Sequence, residues 1–167
     1  NNNIYYFMCF KFIPYKAAAV PGIISILSIS RSLAPKALAI GANEAIRVNA
    51  NPTDGFFVAK QLAQVIQTGG YDLIIAGKES LDYNGGMVPG MIASLLDYNF
   101  INSCVGLTVD GTSATASREI DGGKEILSSS LPLIIGGQKG LVEEKDLKIP
   151  NMRGIMSART KPLQVVE

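Results

Sequence analysis

The stretch YDLIIAGKESLDYNGGMVPGM, residues 71–91, decides the fold. Its first six residues are a short, mainly apolar run, which predicts a strand buried on both faces and therefore central in a parallel sheet. Residues 77–90 then carry four glycines among polar residues, before an apolar helical pattern resumes at Met91. The sequence therefore predicts a buried strand, a glycine-rich loop and the start of a helix.

This order of elements is how an open α/β sheet binds a nucleotide. Small residues let backbone N–H groups approach a phosphate, and the helix N-terminus adds partial positive charge. The glycine spacing matches neither the dinucleotide fingerprint nor the P-loop. A long strand-to-helix connection that binds nothing is thus the alternative interpretation of the loop.

Composition limits the possible functions. At 167 residues and 47% hydrophobic, the chain is long enough for one domain with a real core. A net charge of +1 predicts no nucleic-acid partner, and no apolar run reaches the roughly 20 residues of a membrane span. The absence of histidine excludes histidine-based catalytic triads and histidine-containing zinc motifs.

The two cysteines, Cys9 and Cys104, lie in separate apolar runs and are typical of small buried residues in a reducing compartment. A disulfide between them is the alternative. Residues 4–13 predict a first strand; the competing interpretation, a signal peptide, lacks a basic start before its apolar core.

Residues 22–30 predict a second strand that follows the first too closely for a helical crossover. A parallel pair needs about a dozen residues or more between its strands. Either the two strands pair antiparallel, or a segment expected between them is missing.

A helix follows at residues 32–41, with Leu33, Ala37 and Ile40 expected to face inward and Gly41 as its C-cap. Residues 44–48 predict a third strand.

Another helix opens near residues 52–54, with Thr53 or Asp54 as its cap and Gly69-Gly70 at its end. Its apolar stripe comprises Phe57, Leu62, Val65 and Ile66. Alternating strands and helices predict a doubly wound, mostly parallel α/β sheet.

Beyond residue 96 the apolar period changes from 3.6 to 2. Residues 104–109 and 112–120 alternate around Asp110-Gly111, and a second turn at residues 121–123 leads into residues 125–130. This pattern predicts an antiparallel meander appended to the sheet.

The remaining elements are short. Residues 131–135 predict a buried strand, Gly136-Gly137 begins a predicted surface loop, residues 153–162 predict one or two helical turns, and residues 163–166 a final strand.

Three segments in this order resemble the β subunit of electron transfer flavoprotein. Residues 72–91 are similar to the family's apolar strand, Gly-Lys pair and acidic, glycine-rich turn. Residues 118–123, REIDGG, resemble its meander turn, and Leu131-Pro132 followed by residues 149–151, IPN, resembles its Leu-Pro-Asn signature. Residues 37–42, ALAIGA, also fit, and the resemblance runs from about residue 22 to 167.

The resemblance implies a heterodimer whose α subunit holds FAD, while this subunit binds AMP or, in the bifurcating type, a second FAD. Cys9, Ser28 and Ile29 fall where the family contacts the nucleotide. The loop positions that match the family's nucleotide contacts are Ser80, Leu81, Asp82, Asn84, Gly85, Gly86, Met87, Val88, Pro89, Gly90 and Met91.

The resemblance also implies two partner contacts. Glu119 matches a carboxylate that meets the flavin domain of the α subunit. Ile149, with Pro150 and Asn151, matches an apolar tip that the family inserts into flavin dehydrogenases such as acyl-CoA dehydrogenase. An apolar anchor among charges suits a transient interface.

The family's helical crossover between the first two strands has no counterpart at residues 14–22, nor has its C-terminal arm after residue 167. We therefore expect a single adenine-nucleotide-binding α/β domain over residues 1–167, in an incomplete record of a longer polypeptide. The expected location is the cytoplasm, or the mitochondrial matrix in a eukaryote. A stand-alone ATP- or AMP-binding protein, including a universal-stress-type module, and a nucleotidyl-transfer enzyme of the same fold are the alternatives.

Overall fold

The structure, a computed structural model, describes residues 8–10, 25–28, 33–51, 53–79, 85–141 and 151–167. These residues form nine strands and four helices. The strands are β1 (Met8–Phe10), β2 (Ser25–Ser28), β3 (Glu44–Val48), β4 (Leu73–Gly77), β5 (Asn99–Asp110), β6 (Ser113–Ile120), β7 (Gly123–Ser130), β8 (Leu133–Gly137) and β9 (Leu163–Val166). The helices are α1 (Leu33–Ile40), α2 (Gly55–Gly69), α3 (Val88–Leu96) and α4 (Met152–Ala158).

All nine strands join one mixed sheet in the order β7-β6-β5-β8-β4-β1-β2-β3-β9. β8 pairs parallel with β5 and β4, and β3 pairs parallel with β2 and β9. Because β1 is antiparallel to both β4 and β2, these two parallel groups run in the same direction. The central sheet is therefore mostly parallel, with β1 reversed within it.

The pairing of β1 agrees with one of the two alternatives for the first strands, the antiparallel one. Met8 faces Leu27 of β2 on one side and Ala76 of β4 on the other, in antiparallel register. The two strands therefore pair antiparallel, which requires no helical crossover. The other residues of the two predicted strands lie outside the described residues.

Helix α2 has the predicted caps and packs on one face of the sheet. The Phe57 N–H donates to Asp54 Oδ1 at 2.7 Å, and Gly70, with φ of 63°, donates its N–H to the Ile66 carbonyl. Of the predicted stripe, Leu62 and Ile66 are buried, while Phe57 and Val65 are half-buried. The buried cluster on this face joins α2, α3 and the sheet; it includes Ile46, Val48, Leu62, Ile66, Ile74, Ile92 and Ile134.

Helix α1 packs on the opposite face, because side chains alternate along β3. Ala45 packs with Ala37 and Leu38 of α1, whereas Ile46 and Val48 belong to the α2 cluster. The prediction that Ile40 faces inward was wrong: Ile40 is 39% exposed, and Leu38 is buried in its place. The inner face of α1 therefore includes Ala37 and Leu38, both of which pack on Ala45 of β3.

The three consecutive strands β5, β6 and β7 pair antiparallel, as the alternating pattern predicted. Strand β8 begins at Leu133 rather than residue 131, because Pro132 has no N–H to donate to a strand ladder. The predicted loop at Gly136-Gly137 was wrong, since both glycines belong to β8 and Gly136 is buried. The Asn102 side chain of β5 lies where a Cβ of Gly136 would be, so a glycine fits this position of β8. This contact between strands cannot be predicted from the local sequence.

Candidate functional site

The glycine-rich loop leaves the sheet at the carboxyl end of β4. Gly77, the last residue of β4, pairs with Gly137 of β8, and the next N–H, of Lys78, donates to the Gly137 carbonyl at 3.0 Å. Ligands of open α/β sheets bind at the carboxyl ends of strands. Residues 80–84 of the loop, including the predicted contacts Ser80, Leu81, Asp82 and Asn84, lie outside the described residues.

The second half of the predicted loop is the first turn of a helix. Helix α3 begins at Val88, so Val88, Pro89, Gly90 and Met91 are helical, and the prediction that the helix resumes at Met91 was too late. Pro89 suits the first turn because its missing N–H would have no helical partner there. Gly90 packs closely on Phe100, since a Cβ at Gly90 would lie 3.3 Å from that ring.

At Gly86 the backbone of the loop lies close to the end of β4. A Cβ on Gly86 would lie 3.1 Å from the Lys78 carbonyl oxygen, which is closer than side-chain carbons ordinarily approach. The backbone of the loop therefore lies against the carboxyl end of β4. A glycine at such a point allows an equally close approach by a ligand.

The N-cap residue of α3 makes no side-chain hydrogen bond to the first turn of the helix. Met87 occupies that position, makes no side-chain hydrogen bond and is 67% exposed, while Val88, the next residue, is buried. The first N–H groups of a helix need acceptors and attract negative charge. Gly85, Gly86 and the first turn of α3 thus bring together a close backbone approach and a helix N-terminus.

Two other predicted contacts belong to neighbouring strands. Ser28 ends β2, and β1 lies between β2 and β4, so β2 and β4 are roughly 10 Å apart. Cys9 is the middle residue of β1 and pairs with Ile26 and Ile75, one row farther from the carboxyl edge than Met8. Ile29 lies outside the described residues, and nucleotide contact by all three stays a prediction.

Cys104 lies in a buried apolar cluster and is a free thiol. Its Sγ donates to the Gly106 carbonyl at 3.1 Å, and burial raises the pKa of the thiol. The expectation of a small buried cysteine is therefore confirmed for Cys104.

Glu119 is exposed on β6, beside the carboxyl end of β8. Its Oε2 accepts a hydrogen bond from Gln138 Nε2, one residue beyond β8. The adjacent Arg118 points elsewhere and pairs with Glu125 of β7 at 2.5 Å. Glu119 was predicted from the sequence but Gln138 was not, because 19 residues separate the two and no motif links them.

Helix α4 carries the described part of the predicted apolar tip. Asn151 is its N-cap, and Asn151 Oδ1 accepts the Gly154 N–H at 2.7 Å. Ile149 and Pro150 lie outside the described residues. Three apolar side chains of α4 are exposed: Met152, Ile155 and Met156, which are 75%, 43% and 67% exposed.

Two contacts hold α4 against the end of α1. A Cβ on Gly154 would overlap the Ala39 carbonyl oxygen, so the two helices approach at that glycine. Lys161, which follows α4, donates from Nζ to the carbonyls of Leu38 at 3.0 Å and Ala42 at 2.6 Å. A cation at these carbonyls satisfies the C-terminal end of α1.

An apolar groove of about 520 Å³ runs along this junction. Its lining residues are Pro35, Leu38, Ala39, Ile155, Ala158, Arg159, Lys161 and Leu163. The groove therefore extends the exposed apolar surface of α4 toward two cationic side chains. No grouping of histidine, cysteine, aspartate or glutamate suited to a metal occurs in the described part of the chain, and no helix there is both long and apolar enough to cross a membrane.

Comparison with known proteins identifies the family. The profile of the electron transfer flavoprotein domain matches residues 18–167. The electron transfer flavoprotein subunit beta of Bacillus subtilis is 33% identical over 135 residues, covering 78% of this chain and 51% of that protein. Its counterpart in Syntrophomonas wolfei is 34% identical over 128 residues, covering 76% and 50%, and that of Homo sapiens 31% over 136 residues, covering 78% and 52%.

The chain spans about half the length of the curated relatives it matches. The matched region includes both the glycine-rich loop at β4 and the α4 segment. This match and the mixed α/β sheet agree with the motifs at residues 72–91 and 118–123. The chain belongs to the electron transfer flavoprotein family.

Proposed function

We propose that this chain is the β subunit of a heterodimeric electron transfer flavoprotein. In that role it binds an adenine nucleotide, associates with an α subunit that carries FAD, and helps pass electrons from flavin dehydrogenases to a downstream acceptor. It performs no bond chemistry alone. The family match supports this role over the stand-alone binding protein or nucleotidyl-transfer enzyme.

The observation that carries the nucleotide assignment is the approach of Gly86 to the end of β4. The backbone at Gly86 and the first turn of α3 fit a phosphate, because Met87, the N-cap residue, has no side-chain oxygen to compete for the N–H groups of that turn. Ser28, at the carboxyl end of β2, fits a contact farther along the nucleotide. Cys9, Ile29, Ser80, Leu81, Asp82 and Asn84 complete the proposed site by resemblance alone.

Bound AMP indicates the ordinary electron carrier, and bound FAD in this subunit indicates the bifurcating type. FAD in the α subunit supplies the redox chemistry of the ordinary type, and in the bifurcating type a second FAD, held in this subunit, would contribute to it. The residues of this chain bind and orient the nucleotide and exclude water. This assignment includes a Rossmann-like sheet with an appended β5-β6-β7 meander, in one domain over residues 1–167 of a cytoplasmic protein.

Two surfaces serve the partners in this proposal. Glu119 contacts the flavin domain of the α subunit. Residues 149–151 and the apolar surface of α4 contact flavin dehydrogenases such as acyl-CoA dehydrogenase. An exposed methionine-rich surface suits the second role, since methionine adapts its shape to different partners.

The test is to purify the chain with its α subunit, denature the complex and identify what is released by chromatography and absorbance. We expect FAD together with AMP, or FAD at twice the α-subunit concentration. Release of neither flavin nor adenine nucleotide contradicts the proposal. Turnover of ATP by the isolated chain supports the nucleotidyl-transfer alternative instead.

Replacing Gly86 with valine tests the loop directly. The β-branched side chain would meet the Lys78 carbonyl and block close approach to the backbone, so we expect Gly86→Val to abolish nucleotide retention in the purified complex. Gly123→Val is the matched control, because a Cβ there meets no atom within 4 Å. Unchanged retention in Gly86→Val would show that the nucleotide lies elsewhere.

A further inference from the structure

Gln138 is held firmly at the junction of β8 and β5. Its backbone N–H donates to the Cys104 carbonyl of β5 at 2.9 Å, and its own carbonyl accepts the Leu141 N–H at 3.2 Å. The main chain from which this side chain extends is therefore anchored on both sides. Gln138 itself is only partly exposed.

The amide of Gln138 has one orientation that its surroundings favour. Nε2 donates to Glu119 Oε2, while Oε1 is shielded from solvent and accepts no hydrogen bond within the described chain. Turning the amide over would place Oε1 against a carboxylate oxygen, and two acceptors repel. Glu119 therefore determines how the amide lies, and the anchored amide in turn limits where Glu119 can move.

Glu119 forms no ion pair with any residue in the described part of the chain. Its cross-strand neighbour on β7 is Lys124, yet within the described residues Arg118 and Glu125 make the only ion pair. A neutral amide can fix a carboxylate without cancelling its charge. The Glu119 carboxylate is thus exposed and is held by a neutral amide.

We propose that Gln138 is a positioning residue that holds the Glu119 carboxylate for a cationic side chain of the α subunit. This inference rests on the proposed function, since it needs an α subunit that meets Glu119. Oε2 is occupied by Gln138, and Oε1 is directed to a lysine or arginine donor of the partner. Fixing one side chain in advance reduces the entropy lost when the ion pair forms.

Gln138→Leu separates this positioning role from a structural one. The substitution removes the donor to Glu119 together with the unpartnered Oε1, so a large loss of stability is not expected. We expect the dissociation constant for the α subunit to rise roughly threefold to tenfold. Gln67→Leu, at an exposed glutamine of α2, is the matched control and should leave the dissociation constant unchanged.

A double-mutant cycle completes the test. Flavin-loaded α subunit is titrated with the wild-type chain, Gln138→Leu, Glu119→Gln and the double variant, following flavin fluorescence, and thermal melts verify that each variant is folded. We expect Glu119→Gln to weaken binding more than Gln138→Leu, and the double variant to bind like Glu119→Gln. Raising the salt concentration should reduce the difference between Gln138→Leu and wild type.

The outcomes separate this inference from the proposed function. If the wild-type chain fails to bind the α subunit, the proposed function is wrong and the inference is overturned with it. If wild type binds and Gln138→Leu binds equally well, only the inference is overturned. An equal loss from Gln138→Leu with and without Glu119 also overturns it, because the effect would not then pass through Glu119.

Discussion

Helices α3 and α4 are similar in length, yet they differ in what they bury. α3 has nine residues, four of which are buried between the sheet and α2, including Ile92 at 0% exposure. α4 has seven residues and buries none of them. Buried apolar side chains fix the position of α3. In contrast, α4 is held by its Asn151 cap, the contact of Gly154 with Ala39 and the hydrogen bonds of Lys161.

This difference corresponds to the two proposed roles. A nucleotide clamp needs fixed N–H groups, and a helix start set by a dense core provides them. A transient docking surface needs exposed apolar side chains that can be covered and released. Proteins can open locally where few apolar contacts hold an element, so α4 should be the less stable of the two helices.

Removing one isoleucine from each helix is the strongest test of this difference in packing. Ile92→Ala leaves a cavity in the core and should lower the free energy of unfolding by about 2–5 kcal/mol. Ile155→Ala removes a side chain that is 43% exposed and should cost less than about 1 kcal/mol. Urea denaturation of both variants measures the difference; equal losses would mean that α4 is packed as tightly as α3.

The glycine contact between α4 and α1 gives a smaller effect. Gly154→Ala forces a methyl group against the rigid Ala39 carbonyl, and the cost should be about 1–3 kcal/mol unless α4 moves away. If α4 moves, docking to a flavin dehydrogenase weakens while nucleotide retention is unchanged. The apparent KM for the dehydrogenase and the nucleotide content report the two effects. Lost nucleotide with an unchanged KM would contradict the separation of the two regions.

The N-caps of α2 and α4 provide the smallest and most precise comparison. Asp54→Ala should lower the free energy of unfolding by about 1 kcal/mol, because α2 belongs to the core that α3 completes. Asn151→Ala removes a similar hydrogen bond, but it should mainly increase local opening of α4. Hydrogen exchange of α4 amides, combined with denaturation, distinguishes the two. A loss in global stability as large as that of Asp54→Ala would show that α4 unfolds with the core.

Much of the fold could be predicted because its signals are local. Asp54 caps the helix that begins one residue later, and Gly70 ends it. Asp110 and Gly111 lie at the predicted hairpin turn between β5 and β6. Each of these features depends on residues a few positions apart, so propensity and periodicity are enough to find it.

The candidate site could be predicted only in part. Gly86 was identified from its glycine-rich context, but its close approach to the Lys78 carbonyl was visible only in the structure. Gln138 went unnoticed because its partner lies on another strand. Pattern analysis cannot detect a contact whose two residues are chosen by the sheet order.

The sequence by itself determined the class of fold, most element positions, the glycine-rich loop and the family motifs, because each of these depends on residues that are close together in the chain. Only the tertiary structure decided the reversed direction of β1, the place of Gly136 within β8, the link from Gln138 to Glu119 and the attachment of α4 to α1. Lys161 meets a carbonyl 123 residues earlier in the chain. Such contacts follow from how strands and helices assemble in space, and no local pattern specifies them.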